Sequence, residues 1–244
     1  MQKKNRLDQL LVVNGLVNNV SKAKALIMAG KVLVNEKKIE KPGTKFTDNI
    51  VIRLLKKSHD WVSRGGIKLS YALDKLNLNL EDRVCADLGS STGGFTDVLL
   101  KQKVKHIYCV DVGKGLLDWK IVKNNNVTVI ENTNVRNLNI EDIDPNITFL
   151  TCDLSFISLT KALEKIVATK KINISILALI KPQFELSKGM IGKKGIVTNE
   201  NYKKIAINKV RDWFKLNGWK VSQVIKSPIT GAAGNEEFFI YCTK

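Results

Sequence analysis

The run Val84-Cys85-Ala86-Asp87-Leu88-Gly89-Ser90-Ser91-Thr92-Gly93-Gly94-Phe95 constrains this chain most, because it reads as a buried strand that breaks into a small-residue loop and restarts as a helix. Glycine and serine let backbone approach a ligand where a Cβ would clash, and a helix starting near Gly93 turns its unpaired N–H groups toward the same place. A second apolar strand, His106 to Val110, ends in Asp111, which lies 24 residues beyond Asp87. An acid at about that distance reaches a ribose in doubly wound sheets. Together the two features predict a nucleotide-like cofactor pocket, whereas the loop alone is equally an ordinary glycine-rich turn.

Two familiar loops are excluded. A phosphate-cradling P-loop needs Gly-Lys-Ser/Thr after its glycines, and Gly93-Gly94-Phe95 has no lysine. The dinucleotide spacing G-x-G-x-x-G is also missing. What remains, Asp-x-Gly-x-x-x-Gly-Gly, resembles the first motif of the Rossmann-like S-adenosylmethionine (SAM) methyltransferases. That resemblance implies SAM as cofactor, held by Asp87, Gly89, Ser90, Ser91, Thr92, Gly93 and Gly94, with Asp111 on the ribose. Asn134, in the segment after the third strand, falls where such folds contact adenine.

Past Leu80 strands and helices alternate. Strands are predicted at 84–88, 107–110, 127–130, 148–152, 174–180, 220–225 and 238–242, and helices at 95–102, 159–168 and 202–216. This rhythm gives an α/β fold, a Rossmann-like domain with a mainly parallel seven-stranded sheet and the ligand at the carboxyl ends of its strands. Before it stands a small α+β piece. Leu7, Leu10 and Leu11 share one helical face, Ser21 is a cap for a second helix carrying Ala25, Leu26 and Ile27, and Gly30 ends it. Strands follow at 31–35 and 49–53. The expected division is a small domain over 1–57, a linker at 58–62 and the large domain over 63–244.

The net charge of +17 is concentrated: residues 1–60 hold 13 Lys/Arg against 5 Asp/Glu. Nucleic acid is the polyanion such a surface fits, although Lys-rich genome composition gives the same excess. Even the longest uninterrupted apolar runs, such as Ile176 to Ile180, are far short of the roughly 20 residues that span a bilayer. The basic N-terminus lacks the apolar stretch of a secretion signal, which predicts a cytoplasmic protein with no membrane partner. Cys85, Cys109, Cys152 and Cys242 sit singly in predicted strands, as core packing in reducing cytosol explains. With two histidines and no C-x-x-C spacing, no metal site is expected.

Candidate chemistry lies at strand ends. Asp153 ends the fourth strand and Lys181 the fifth, so neighbouring parallel strands place both on one rim. A partly desolvated lysine beside a second cation can take a proton or hold a developing alkoxide. Lys68 is the candidate second cation, and Glu237 the carboxylate that orients the lysines. A solvated strand-end charge is the plainer reading of each residue alone. Phe156 and Phe184 are candidates to stack a base or to fill the core.

The small domain resembles the S-four RNA-binding module in Arg6-Leu7-Asp8-x-x-Leu11, Ser21-Lys22-x-Lys24-Ala25, Gly30-x-Val32-x-Val34-Asn35 and Lys41-Pro42-Gly43. This implies RNA contacts from Arg6, Lys22 and Lys24. The whole chain, through Val62-Ser63-Arg64-Gly65-Gly66-x-Lys68-Leu69, the glycine loop, Asp153-x-Ser155-Phe156-Ile157-Ser158-Leu159, Ile180-Lys181-Pro182-Gln183-Phe184-Glu185 and Gly234-Asn235-x-Glu237-Phe238, resembles the TlyA family. These are ribosomal RNA 2′-O-methyltransferases with an FtsJ-like catalytic domain, also known as hemolysins. The resemblance implies methylation of a cytidine ribose, a catalytic tetrad of Lys68, Asp153, Lys181 and Glu237, an RNA contact at Arg64, and ribosomal RNA or ribosomal subunits as partner. It leaves the oligomeric state open. A membrane-lytic hemolysin and a non-catalytic RNA-binding assembly factor are the alternatives.

If the basic surface anchors RNA through phosphates, affinity falls steeply between low and physiological salt. Filter binding of ribosomal RNA across that range checks this; a flat dependence contradicts it.

Overall fold

The computed structural model describes residues 4–28, 30–47, 49–55 and 60–244, in two compact units, Met1–Asp60 and Trp61–Lys244. Residues 58 and 59 of the expected linker lie outside the described residues, as do residues 1–3, 56 and 57 of the expected small domain.

The first unit runs β1 (Asn5–Arg6), α1 (Leu7–Val13), α2 (Val20–Met28), β2 (Val32–Val34), β3 (Lys37–Lys38), β4 (Lys45–Phe46) and β5 (Ile52–Leu54). Strand β1 pairs with β4, and a second sheet has the order β3-β2-β5, all antiparallel. Leu7 and Leu11 of α1 pack on Ala23 and Ile27 of α2 and on Val32 and Val34 of β2. Two details differ from expectation. Asn19 Oδ1, not Ser21, accepts the first-turn N–H of Lys22, at 2.8 Å. Ala25 is exposed and Ala23 buried, because Ala23 and Ile27, four apart, share a face that Ala25 does not. The strand expected at 49–53 forms three residues later at its start, since the Asn35 side chain accepts the N–H of Val51 and holds that residue in the approach loop.

The second unit contains α3 (Gly65–Leu76), β6 (Val84–Leu88), α4 (Gly94–Lys101), β7 (His106–Val110), α5 (Trp119–Val122), β8 (Val127–Ile130), α6 (Ile140–Ile143), β9 (Ile147–Cys152), α7 (Leu159–Ala162), α8 (Glu164–Val167), β10 (Ser175–Ile180), α9 (Pro182–Glu185), α10 (Glu200–Leu216), β11 (Lys220–Lys226) and β12 (Phe238–Thr243). Its seven-stranded sheet has the order β11-β12-β10-β9-β6-β7-β8, parallel except that β12 runs antiparallel to both its neighbours. Strands β6 and β10 are buried at every position, the signature of a sheet covered on both faces. One face carries Leu69, Ala72 and Leu73 of α3 with Phe95, Val98 and Leu99 of α4. The other carries α7, α8 and α10 through Leu159, Ile166, Val210 and Phe214.

Helix α3 is not among the elements expected from the sequence, yet Leu69, Ala72, Leu73 and Leu76 have the spacing of one helical face. The helix expected over 159–168 is two short pieces broken at Leu163, whose backbone leaves the helical region at φ −102° and ψ 9°. Trp61 and Val62, expected in the linker, are tied into the second unit. The Lys101 ammonium lies 4.0 Å from the Trp61 ring centroid, and Asp97 accepts the N–H of Val62 at 2.9 Å. All four cysteines are buried and unpaired, with the Cys85 and Cys109 thiols pushed up to about 12 by burial.

Helices α3 and α4 begin against each other through glycines. A Cβ on Gly94 would stand 2.2 Å from Ser63 Oγ, 3.1 Å from the Gly66 nitrogen and 3.2 Å from Gly65 Cα. Two of those three atoms are backbone and cannot swing aside. Gly94→Ala is therefore expected to destabilise the protein by about 1–3 kcal/mol. Gly189→Ala, which meets nothing within 4 Å, leaves the denaturant midpoint near that of the parent.

Candidate active site

Strand pleating decides which side chains meet. Alternate residues share a face, so Cys85 and Asp87 on β6, Phe149 and Thr151 on β9, Leu177 and Leu179 on β10, and Phe239 and Tyr241 on β12 point the same way. The apolar members of this set form the core under α3 and α4. Continuing each count past the strand ends puts Asp153, Lys181 and Glu237 on that face too. The Asp153 N–H still bonds the Leu88 carbonyl at 3.0 Å, and Ile180 pairs with Phe238, so Lys181 and Glu237 stand side by side at the carboxyl edge of the parallel strands. Helix α3 brings Lys68 to the same face, one residue before buried Leu69.

There the four charged residues form two ion pairs. Lys68 Nζ donates to Glu237 Oε2 at 2.6 Å, with both side chains under one-tenth exposed. Lys181 Nζ lies 2.7 Å from Asp153 Oδ1 and donates to Ser155 Oγ at 2.7 Å. Asp153 is the more open member, its side chain 22% exposed. Glu237 thus orients Lys68, while Asp153 and Ser155 orient Lys181. Glycine at 231 makes room for the first pair, since a Cβ there would meet Glu237 Oε1 at 2.4 Å.

The glycine loop lies beside Asp153, between β6 and α4. Gly89 (φ +82°) and Gly93 (φ +91°) take left-handed backbone, and a Cβ on Gly89 would strike the Asp153 carbonyl at 2.8 Å. Asp87 is fully buried, its oxygens accepting from Thr96 Oγ1 at 2.7 Å and Thr151 Oγ1 at 2.8 Å. Burial raises its pKa to about 6 against the two hydroxyls that lower it. The native state therefore holds this proton more tightly than the unfolded chain, and its contribution to stability falls as pH rises from about 4 to 6. Asp111 receives the Ser91 N–H at 2.8 Å and the Gly113 N–H at 2.7 Å, tying the loop to the end of β7. Ser91 and Thr92 are exposed and Gly94 opens α4. Asn134 is exposed and caps the turn at Val135, accepting from the Arg136 N–H.

Three buried polar atoms along this edge, Ser90 Oγ, Gln183 Oε1 and Asp153 Oδ1, have no hydrogen-bond partner among the described residues, although the Lys181 ammonium lies against the last. Buried polar atoms are rarely left so, and ligand-facing groups are the usual exceptions. Small-residue loop, acid after the second strand and orphaned Ser90 hydroxyl fit an adenosyl cofactor.

Glu185 is a site residue that the sequence alone does not single out. It is buried and accepts from Ser158 Oγ at 2.5 Å and from the Leu159 N–H at 2.7 Å, with Lys209 Nζ 3.3 Å from its carboxylate. It thereby clamps the 153–159 loop to the segment after Lys181, and a lone acid inside Pro-Gln-Phe-Glu-Leu was the available signal. Phe156 is 91% exposed with left-handed backbone (φ +65°) and lies 5.3 Å from the Phe184 ring, which removes the core reading for Phe156.

A model of FtsJ-like methyltransferases matches residues 61–244, and an S4 domain model matches residues 5–52. The 16S/23S rRNA (cytidine-2′-O)-methyltransferase TlyA of Mycobacterium tuberculosis is 37% identical over 242 residues, covering 99% of this chain and 90% of that protein. The chain belongs to the TlyA family. Similarity to the Bacillus subtilis protein YqxC is 39% identity over 240 residues, 98% of this chain and 85% of that one. A solved structure from Streptococcus thermophilus, which carries a hemolysin name, is 36% identical, covers 100% of this chain and 90% of its own, and superposes with a TM-score of 0.76.

In this TlyA-family chain two of the cationic residues expected on RNA, Arg6 and Lys24, lie about the buried Asp8 carboxylate. Arg6 directs Nε and Nη2 onto buried Asp8, at 3.0 and 2.7 Å, and holds that carboxyl below the usual range; Lys24 adds its charge from α2. Lys22, two residues from Lys24, points away around the helix and is exposed. Arg64 is exposed at the start of α3. No helix among the described residues is long and apolar enough to cross a membrane.

The two ion pairs differ in what breaking them does. Lys68→Ala strands a carboxylate with 3% exposure and is expected to destabilise by about 3–5 kcal/mol. Lys181→Ala leaves Asp153 partly in water, so its loss is smaller. Urea denaturation of the two variants side by side checks the order.

Proposed function

We propose that this chain is a SAM-dependent methyltransferase of the ribose 2′-hydroxyl of cytidine in ribosomal RNA, with the small basic unit anchoring the substrate. The observation that carries the reading is the meeting of Lys68, Asp153, Lys181 and Glu237 on one sheet face beside the glycine loop. Family membership and the name of the M. tuberculosis relative support the substrate.

Gly89 to Gly94, Asp111 and Asn134 would hold the cofactor, with Asp87 fixing the loop from beneath. SAM, when bound, supplies a methyl group made electrophilic by its sulfonium. A ribose hydroxyl is a poor nucleophile, so as its oxygen bonds the methyl and the methyl–sulfur bond breaks, the residues must align it, pass its proton to the partly open Asp153 carboxylate, and steady the negative charge the oxygen carries meanwhile. Lys181, aimed by Asp153 and Ser155, aligns the hydroxyl and steadies that charge directly. Lys68 and Glu237 set the field behind it. A lysine suits this work better than histidine because its positive charge persists at neutral pH. Phe156, fully presented to solvent, offers its ring to the nucleotide that must leave its stack to enter the site.

The direct test is transfer of tritium from labelled SAM to separated ribosomal subunits, followed by mapping of the modified ribose. Lys181→Ala is expected to lower the transfer rate by roughly a hundredfold or more, while calorimetry shows SAM binding little changed. Cofactor affinity lost in parallel would move Lys181 out of its assigned role.

A further inference from the structure

The motif Gly234-Asn235-x-Glu237 contains a residue that the tetrad does not use. Asn235 is 2% exposed. Its Nδ2 donates to the Gly195 carbonyl at 2.8 Å, and its Oδ1 accepts the Val197 N–H at 2.8 Å. The same residue's carbonyl accepts the Gly231 N–H at 2.8 Å, and the Glu237 carbonyl accepts the Ser227 N–H at 2.8 Å. Asn235 therefore belongs to the turn that seats Glu237, and both its side-chain nitrogen and its side-chain oxygen bond a different loop.

That loop, residues 186–197, leaves the site through Lys181-Pro182-Gln183-Phe184-Glu185 and returns to it at Asn235. It carries Lys188, Lys193 and Lys194 and no acid. All three lysines are exposed, and none has a carboxylate within 4.0 Å among the described residues. Its tip is a tight reversal: the Gly192 N–H bonds the Ile196 carbonyl at 3.0 Å, the Gly195 N–H bonds the Gly192 carbonyl at 3.1 Å, and Lys194 and Gly195 both have left-handed backbone. A Cβ on Gly192 would meet the Ile196 carbonyl at 2.8 Å. Lys203 and Lys226, by contrast, are neutralised, Lys203 by Glu200 and Glu236 and Lys226 by Glu236.

We infer that Asn235 staples this cationic loop to the tetrad, and that Lys188, Lys193 and Lys194 grip the phosphodiesters flanking the ribose being methylated. The inference rests on the RNA reading given above. A ribose inside a strand has a phosphate on either side, so cations held at fixed distance from the tetrad set which sugar lies over Lys181. Ammonium groups act there as point charges that tolerate any base sequence. Asn235 is a positioning residue, acting on substrate through the loop.

The test uses full-length protein, labelled SAM and purified ribosomal subunits. The triple variant Lys188→Gln, Lys193→Gln, Lys194→Gln alters exposed side chains only. It is expected to raise KM for RNA on the order of tenfold and to reduce the salt slope of binding by about two to three, with SAM affinity unchanged. Asn235→Ala is expected to raise KM in the parent and to add little in the triple variant, a non-additivity that simple loss of stability would not produce. Transfer by the parent with KM and salt slope unchanged in the triple variant would overturn the inference alone. Absence of transfer by the parent to either subunit would overturn the RNA reading and this inference with it.

Discussion

An ammonium group cannot be buried without a partner, and the Lys68–Glu237 pair meets that requirement by joining residues 169 apart in sequence. Lys68 reaches it from α3, and Glu237 reaches it from the strand that enters antiparallel between β10 and β11. The pair therefore fixes a helix on one sheet face to the strand that breaks the parallel pattern. Lys181 and Asp153 then complete the edge, because they continue neighbouring strands on the same side of the pleat. The chemistry proposed for the site requires this fixed background, since a charge that moves with the substrate stabilises nothing.

Most of the large unit's sheet was legible because its strands are short, mainly apolar runs bounded by small or charged residues. Val84 to Leu88 and Ser175 to Ile180 could be read with almost no error at their ends. Helix α3 was not, since it begins with two glycines and follows a polar stretch, cues that read as loop. Its glycines serve close packing against α4 and Trp61, a tertiary reason invisible to local propensity. In the small unit, the capping role passed from Ser21 to Asn19, because either residue type can cap and only the register of the buried face decides.

The four tetrad positions were readable from strand ends and family resemblance, but their pairing was not. Nothing local says that Lys68 belongs to Glu237 and Lys181 to Asp153; sheet order and pleat parity decide it. Glu185 escaped notice for a related reason. Its partners, Ser158 and Leu159, lie 27 and 26 residues earlier, and Lys209 arrives from α10, 24 residues later.

Strand β12 is hydrogen-bonded on both edges, to β10 and to β11, yet it follows both in the chain. A polypeptide interrupted before Phe238 therefore lacks the seat of Glu237 and leaves β11 with nothing to bind. During synthesis the cofactor loop and Lys181 can take shape early, whereas Lys68 waits for its counter-charge until β12 has been inserted. Topology thus makes the Lys68–Glu237 pair the last part of the tetrad that a growing chain can form.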